Sequence, residues 1–140
     1  KVYFNALFGK SFSREQDNPI NAALNYGYAI LLSAVNREIL SLGYITQLGL
    51  NHCNQFNPYN LGSDLMEPLR GFVDAVVIKT QPREFNREVK LSLIELLSED
   101  VKINDTVQTF SAAIRIYCKS VFNALRNQDA IQIRFIEYEL

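Results

Sequence analysis

His52 is the single histidine of the chain, and two carboxylates follow it at short range: Asp64 after twelve residues and Glu67 after fifteen. Positions three apart share a helix face, so Asp64 and Glu67 can point toward one place. If the loop that holds His52 folds back over that helix, an imidazole and two carboxylates converge. One nitrogen with oxygen donors suits Mg²⁺ or Mn²⁺ better than the thiolate sites zinc often prefers. A structural reading competes: Asp64-Leu65-Met66-Glu67 fits a capping box, and a lone histidine often satisfies loop carbonyls. Cys53 stands beside His52 with no second cysteine at metal-ligand spacing.

Two further groups of polar residues stand out. Asn21, Asn25 and Tyr28 form one stripe on an otherwise apolar segment, where buried amides need partners. An internal hydrogen-bond network to a loop is the expectation there, ahead of direct substrate contact. Lys79, Arg83, Arg87 and Lys90 recur at roughly helical spacing, as do Arg115, Lys119 and Arg126. Either stripe could follow a phosphate backbone, although solvated faces with acids such as Glu84 and Glu88 nearby look the same in sequence.

The elements that must position these groups are mainly helical. Asn18-Pro19 is an N-cap followed by proline at the first helical position, and Gly43 is a stop, which predicts a helix from there to about Leu42. Its apolar residues cover nearly every face, the pattern of a buried central helix. Residues 44–60 contain Gly49, Asn51, His52, Cys53, Asn54, Asn57 and Pro58 and lack either period, so a long polar loop is expected; such loops tend to be functional. A helix over 61–78 follows, bent at Pro68. Pro82 and Asn86 precede a shorter helix to about Leu97, and a last helix runs from a cap at Asp105 to Arg126. Val101-Lys102-Ile103 and Ile131–Ile136 are β-like and are expected to pair as a two-stranded ribbon near the C-terminus. The fold class is therefore mainly α, a helical bundle around one central buried helix.

Composition sets the outer bounds. In 140 residues, 48% hydrophobic and 21% charged content excludes a disordered chain and fits one domain. A formal charge of −1 argues, averaged over the chain, against a nucleic-acid binder. Two cysteines make no disulfide scaffold and fit a reducing setting. No apolar run reaches the length of a membrane span, so a soluble protein is expected, and with the reducing setting that the cysteines suggest, a cytoplasmic one. The chain opens Lys1-Val2-Tyr3-Phe4-Asn5-Ala6-Leu7-Phe8-Gly9, the tail of an amphipathic helix, and so reads as a fragment.

Two long motifs carry a resemblance. Residues 18–32, from Asn18-Pro-Ile-Asn-Ala-Ala-Leu-Asn-Tyr-Gly-Tyr onward, with Leu48-Gly-Leu-Asn-His52, and then Asn57-Pro-Tyr-Asn-Leu-Gly-Ser-Asp-Leu-Met-Glu-Pro-Leu-Arg70 with Phe72-Val73-Asp74, resemble the C-terminal domain of the CRISPR-associated adaptation integrase, the Cas-one family, in the form accompanying type II systems. The resemblance implies that His52 and Glu67 bind a catalytic Mg²⁺ or Mn²⁺, with Asp64 and Arg70 at the edge of the site. It places a first metal-binding glutamate a few residues before Lys1, and an N-terminal β-domain further upstream. It further implies spacer insertion by attack of a DNA 3′-hydroxyl on a phosphodiester, double-stranded DNA as substrate, a small ferredoxin-like partner (Cas-two) and a homodimer in the full-length protein. Arg70, three residues after Glu67, can meet a phosphate or pair with Asp64, Glu67 or Asp74. Without the resemblance, a non-catalytic helical scaffold domain is the alternative; an unrelated metal-dependent nuclease is a third.

Overall fold

A computed structural model describes residues 2–138. Lys1 lies outside the described residues. The helices are α1 (Val2–Phe8), α2 (Pro19–Ser41), α3 (Asn60–Met66), α4 (Arg70–Thr80), α5 (Arg87–Glu95) and α6 (Phe110–Asn127), with a hairpin of β1 (Asp100–Ile103) and β2 (Thr106–Thr109) before α6. The mainly α bundle with a two-stranded ribbon is thus the observed architecture. No described helix is long and apolar enough to cross a membrane.

The central helix is α2. Asn18 Oδ1 caps it by accepting from Asn21 N at 2.8 Å, Pro19 supplies the fixed φ of the first turn, and Gly43 leaves it at φ +84°, where a side chain would be strained. Helices α3, α4, α5 and α6 all pack on α2. Ala23, Leu24, Leu31, Val35 and Ile39 lose nearly all solvent contact there, and Val73, Val77, Leu93, Phe110 and Ile114 meet them from the surrounding helices.

Pro68 does more than bend a helix. The segment Glu67–Leu69 tightens into a 3₁₀ turn that separates α3 from α4, as expected where proline removes a backbone donor. This break lies beside Glu67 and Arg70.

The ribbon differs from its expected pairing. Asp100–Ile103 pairs antiparallel with Thr106–Thr109 rather than with Ile131–Ile136. Asn104 and Asp105, both at positive φ (56° and 58°), make the two-residue hairpin turn whose twist matches the strands. Asp105 is therefore a turn residue and not a helix cap. Thr109 caps α6 instead, through Ala112 N, and Val107 is exposed on β2. The 131–136 segment begins as a 3₁₀ turn over Ala130–Gln132 and then runs extended; one bridge beyond it, Glu137 N to Lys102 O at 2.9 Å, attaches the tail to β1.

Both cysteines are free, Cys53 exposed and Cys118 buried in α6. Burial, followed by the nearby Glu38 charge, pushes the Cys118 thiol up to about 12. One thiol is therefore expected to react with Ellman's reagent at pH 8 in the native chain, and two after denaturation. The raised value lies above the unfolded one of roughly 8.5. Its stabilising contribution is full below that pH and falls away as the pH climbs toward 12.

Candidate active site

The loop between α2 and α3 is held by specific polar contacts. Thr46 Oγ1 donates to Pro58 O at 2.7 Å, Leu61 N donates to Thr46 O at 2.9 Å, and Asn60 Nδ2 bonds both Gln47 O and Asn54 O. Asp64, from the second turn of α3, gathers the segment around His52. Its carboxylate accepts from Leu50 N (2.5 Å), Asn51 N (2.9 Å) and His52 N (3.1 Å), and Oδ1 lies 2.5 Å from His52 Nδ1. Gly49 is needed for this closure: a Cβ there would overlap the His52 carbonyl and lie 2.8 Å from Asp64 Oδ2.

Burial alone would raise the Asp64 carboxyl. The hydrogen bonds from Asn51, His52 and Leu50 outweigh it and hold the group below its ordinary value. Facing the Asp64 carboxylate, His52 Nδ1 is the donor of this contact, and a neutral ring so held presents its lone pair at Nε2. A carboxylate holding the far nitrogen of an imidazole is the arrangement that orients metal-ligating histidines. The donor chemistry therefore fits a ligand role for His52 through Nε2. Asp64 is already spent on the loop and acts as orienter. The capping box is absent: Asp64 lies inside α3, and the N-cap residue Tyr59 makes no side-chain cap bond.

Glu67 lies one turn beyond Asp64 and is about half exposed. Its Oε1 is 3.1 Å from Arg70 Nη2, so Arg70 pairs with Glu67 and not with Asp64 or Asp74. Both line a cleft of about 1170 Å³ with Tyr3, Tyr28, Asp74 and Tyr138, whereas His52 stands outside its lining. No cluster of three or more His, Cys, Asp or Glu side chains arranged to hold a metal occurs among the described residues. From this chain a metal would have His52 Nε2 and the Glu67 carboxylate, an oxygen–nitrogen set compatible with Mg²⁺ or Mn²⁺ that needs completion by other oxygens.

Asp74 enters this region with no sequence signal beyond its place in the motif. It is 2% exposed and accepts from Tyr28 Oη at 2.5 Å and Tyr3 Oη at 2.6 Å. Burial first, and then the bond to Asp74, push both tyrosine hydroxyls well above their ordinary value, so they remain donors. Arg14 was also missed. Its guanidinium bonds Asn21 Oδ1 and, at 2.5 Å, Asn25 Oδ1, while Asn21 Nδ2 reaches Ser13 O and Gln16 O. The asparagine stripe is thus the expected internal network, tied to the α1–α2 loop.

The basic residues do not form one helix face. Lys79 lies in the last turn of α4, Arg83 in the connection, Arg87 opens α5, and Lys90 sits 4.9 Å from the Phe85 ring centre. Their periodicity is interrupted by Gln81, which leaves α4 in the left-handed region. On α6, Arg115 pairs with the buried Glu38 at 3.4 Å and Arg126 bonds Asn123, which gives these two members of that stripe internal partners.

The comparisons with known proteins match this fold and these motifs. The family model described as CRISPR associated protein Cas1 matches residues 5–94, which include the His52 loop, Asp64, Glu67 and Arg70. The chain is 36% identical over 141 aligned positions to a CRISPR-associated endonuclease Cas1 of Neisseria meningitidis serogroup C, covering 97% of this chain and 46% of that one. It is 37% identical over 87 positions to a CRISPR-associated endonuclease Cas1 of Thermus thermophilus, covering 56% of this chain and 28% of that one. The chain spans at most about half the length of these curated relatives. A solved casposase bound to its integration product shares the fold, with a TM-score of 0.75 and 23% identity over 99% of this chain and 50% of that one. With the family model spanning well over half the chain, the chain belongs to the CRISPR-associated Cas1 family.

Proposed function

We propose that the chain is the C-terminal, α-helical catalytic part of a DNA integrase, inserting spacer DNA into a CRISPR array by attack of a 3′-hydroxyl on a phosphodiester. The observation that carries this reading is the His52–Asp64 pair, which fixes the imidazole against α3, the helix that runs directly into the 3₁₀ turn carrying Glu67. His52 and Glu67 would hold Mg²⁺ or Mn²⁺. When bound, the ion supplies Lewis-acid polarisation of the attacked phosphate and a more acidic 3′-hydroxyl. Positioning dominates a phosphoryl transfer, and this chain's residues serve it: Asp64 fixes the ring, the loop contacts fix Asp64, and Arg70 offers a guanidinium to a phosphate oxygen. Lys79, Arg83, Arg87 and Lys90 would contribute scattered rather than continuous contacts to duplex DNA. A first glutamate upstream of Lys1, an N-terminal β-domain, homodimer formation and the Cas-two subunit complete the proposal, which is accordingly for a cytoplasmic prokaryotic complex.

The test uses the complete protein that carries these residues, with its partner subunit, labelled duplex DNA and a repeat-containing plasmid. Joined, branched DNA that requires Mg²⁺ or Mn²⁺ is the expected product. Free cut ends alone would indicate a metal-dependent hydrolase, and neither product would favour a scaffold domain.

Asp64→Asn probes the orienting role. An amide leaves one acceptor fewer for Leu50, Asn51 and His52, so the imidazole loses its fixed tautomer. Mn²⁺ affinity, read by electron paramagnetic resonance, is expected to fall about 10–100-fold, with the melting temperature reported alongside. Unchanged affinity would contradict the assignment.

A further inference from the structure

Asp74 is a buried carboxylate without a cationic partner among the described residues. Such a group is costly to bury, and an apolar side chain would serve simple packing at least as well. Arg70 lies four residues before it on the same helix, the spacing at which an ion pair would form. Instead, Arg70 turns its Nη2 to Glu67 and rests over the ring of Tyr28, with Cζ 5.3 Å from the ring centre. The hydroxyl of that tyrosine is the one fastened to Asp74. Arg70 Nε is buried with no hydrogen-bond partner within the described residues. That one donor is therefore unspent among the described residues, and it lies on the same edge of the guanidinium as the Nη2 now paired with Glu67, the edge that can present two donors to an oxyanion.

We propose that Asp74 and Tyr28 are a positioning pair that holds the Arg70 guanidinium for a phosphate of the DNA backbone. This assignment rests on the function proposed above and adds to it two positioning residues. Tyr28, fixed at its hydroxyl, gives Arg70 a rigid aromatic floor, which limits the rotamers a long side chain would otherwise lose on binding. Arg70 is exchanged from Glu67 to phosphate when Glu67 is drawn to other partners. Tyr3 shares Asp74 but is not the ring beneath Arg70, so it serves as an internal comparison.

The experiment is a double-mutant cycle on DNA affinity in the complete protein, using a fluorescein-labelled duplex with short single-stranded 3′ ends and fluorescence anisotropy at several salt concentrations. Arg70→Gln is expected to weaken binding about tenfold and to lower the salt slope by about one phosphate contact. Tyr28→Phe keeps the ring and releases it from Asp74; it and Asp74→Asn are each expected to cost about threefold or more, with the same loss of slope. In the Arg70→Gln background neither should cost anything further. Tyr3→Phe should cost less than Tyr28→Phe. Losses that add to that of Arg70→Gln, an unchanged salt slope, or equal losses for the two tyrosines would overturn the proposal and leave Asp74 as a structural tie. A wild-type protein that binds and joins DNA while the losses add overturns the positioning pair alone. A wild-type protein that binds no DNA overturns both readings.

Discussion

Replacing His52 or Glu67 with alanine is expected to lower DNA joining about 100-fold or more, while the melting temperature stays near that of the wild type. The magnitude follows from comparison: losing a residue that only orients a ligand costs about 10–100-fold, and losing the ligand itself must cost at least as much. The fold should tolerate both changes because both side chains are substantially exposed, 38% for His52 and 48% for Glu67. His52→Ala removes one of the bonds to Asp64 but leaves the three backbone donors in place. Glu67→Ala removes a solvent-exposed ion pair with Arg70, a kind of contact that contributes little to stability. Joining at the wild-type rate in both variants would remove these residues from the chemistry.

Phe110→Ala is expected to cost about 3–5 kcal/mol of stability. Phe110 is 0% exposed at the first turn of α6, and its ring lies 4.6 Å from that of Phe72 on α4. It therefore joins the hairpin, α6 and the helix that carries Arg70 and Asp74. Against a total stability of about 5–15 kcal/mol, the loss removes a large fraction and lowers the melting temperature by roughly 10–20 °C. The variant should lose activity in proportion to unfolding, so folded protein at low temperature would retain joining. A thermal shift of only a degree or two would contradict the place given to Phe110 in the core.

The central helix was legible because its signals are local: Asn18-Pro19 at one end, Gly43 at the other, and apolar residues on nearly every face between. A disturbance at Pro68 was legible for the same reason, but as a bend in one helix rather than as the 3₁₀ break that separates α3 from α4. The hairpin was misread because Val107, Phe110, Ala113 and Ile114 fit a helical period, and that pattern outweighed the Asn104-Asp105 turn. Both turn residues take positive φ, a backbone state that the period of neighbouring side chains cannot report.

At the site, spacing alone brought His52 and Asp64 to one place, since a loop closing on the next helix is a short-range event. Their division of labour was not legible, because it depends on which carboxylate the backbone of residues 50–52 consumes. The Tyr28–Asp74 bond spans 46 residues and the Tyr3–Asp74 bond 71, separations that leave no periodic trace. Net charge carries no information about local arrangement. It averages over the chain, whereas Arg70 beside Glu67 is a local arrangement in a chain of nearly balanced charge.

The central claim is that a DNA 3′-hydroxyl is the attacking group at a site built on His52 and Glu67. Its most direct test replaces that hydroxyl with hydrogen at the labelled DNA end and measures joined product formed by the complete protein with its partner in Mg²⁺ or Mn²⁺. The account predicts that joining disappears while affinity for the DNA is unchanged. Joined product from the 3′-deoxy end at the normal rate would contradict it.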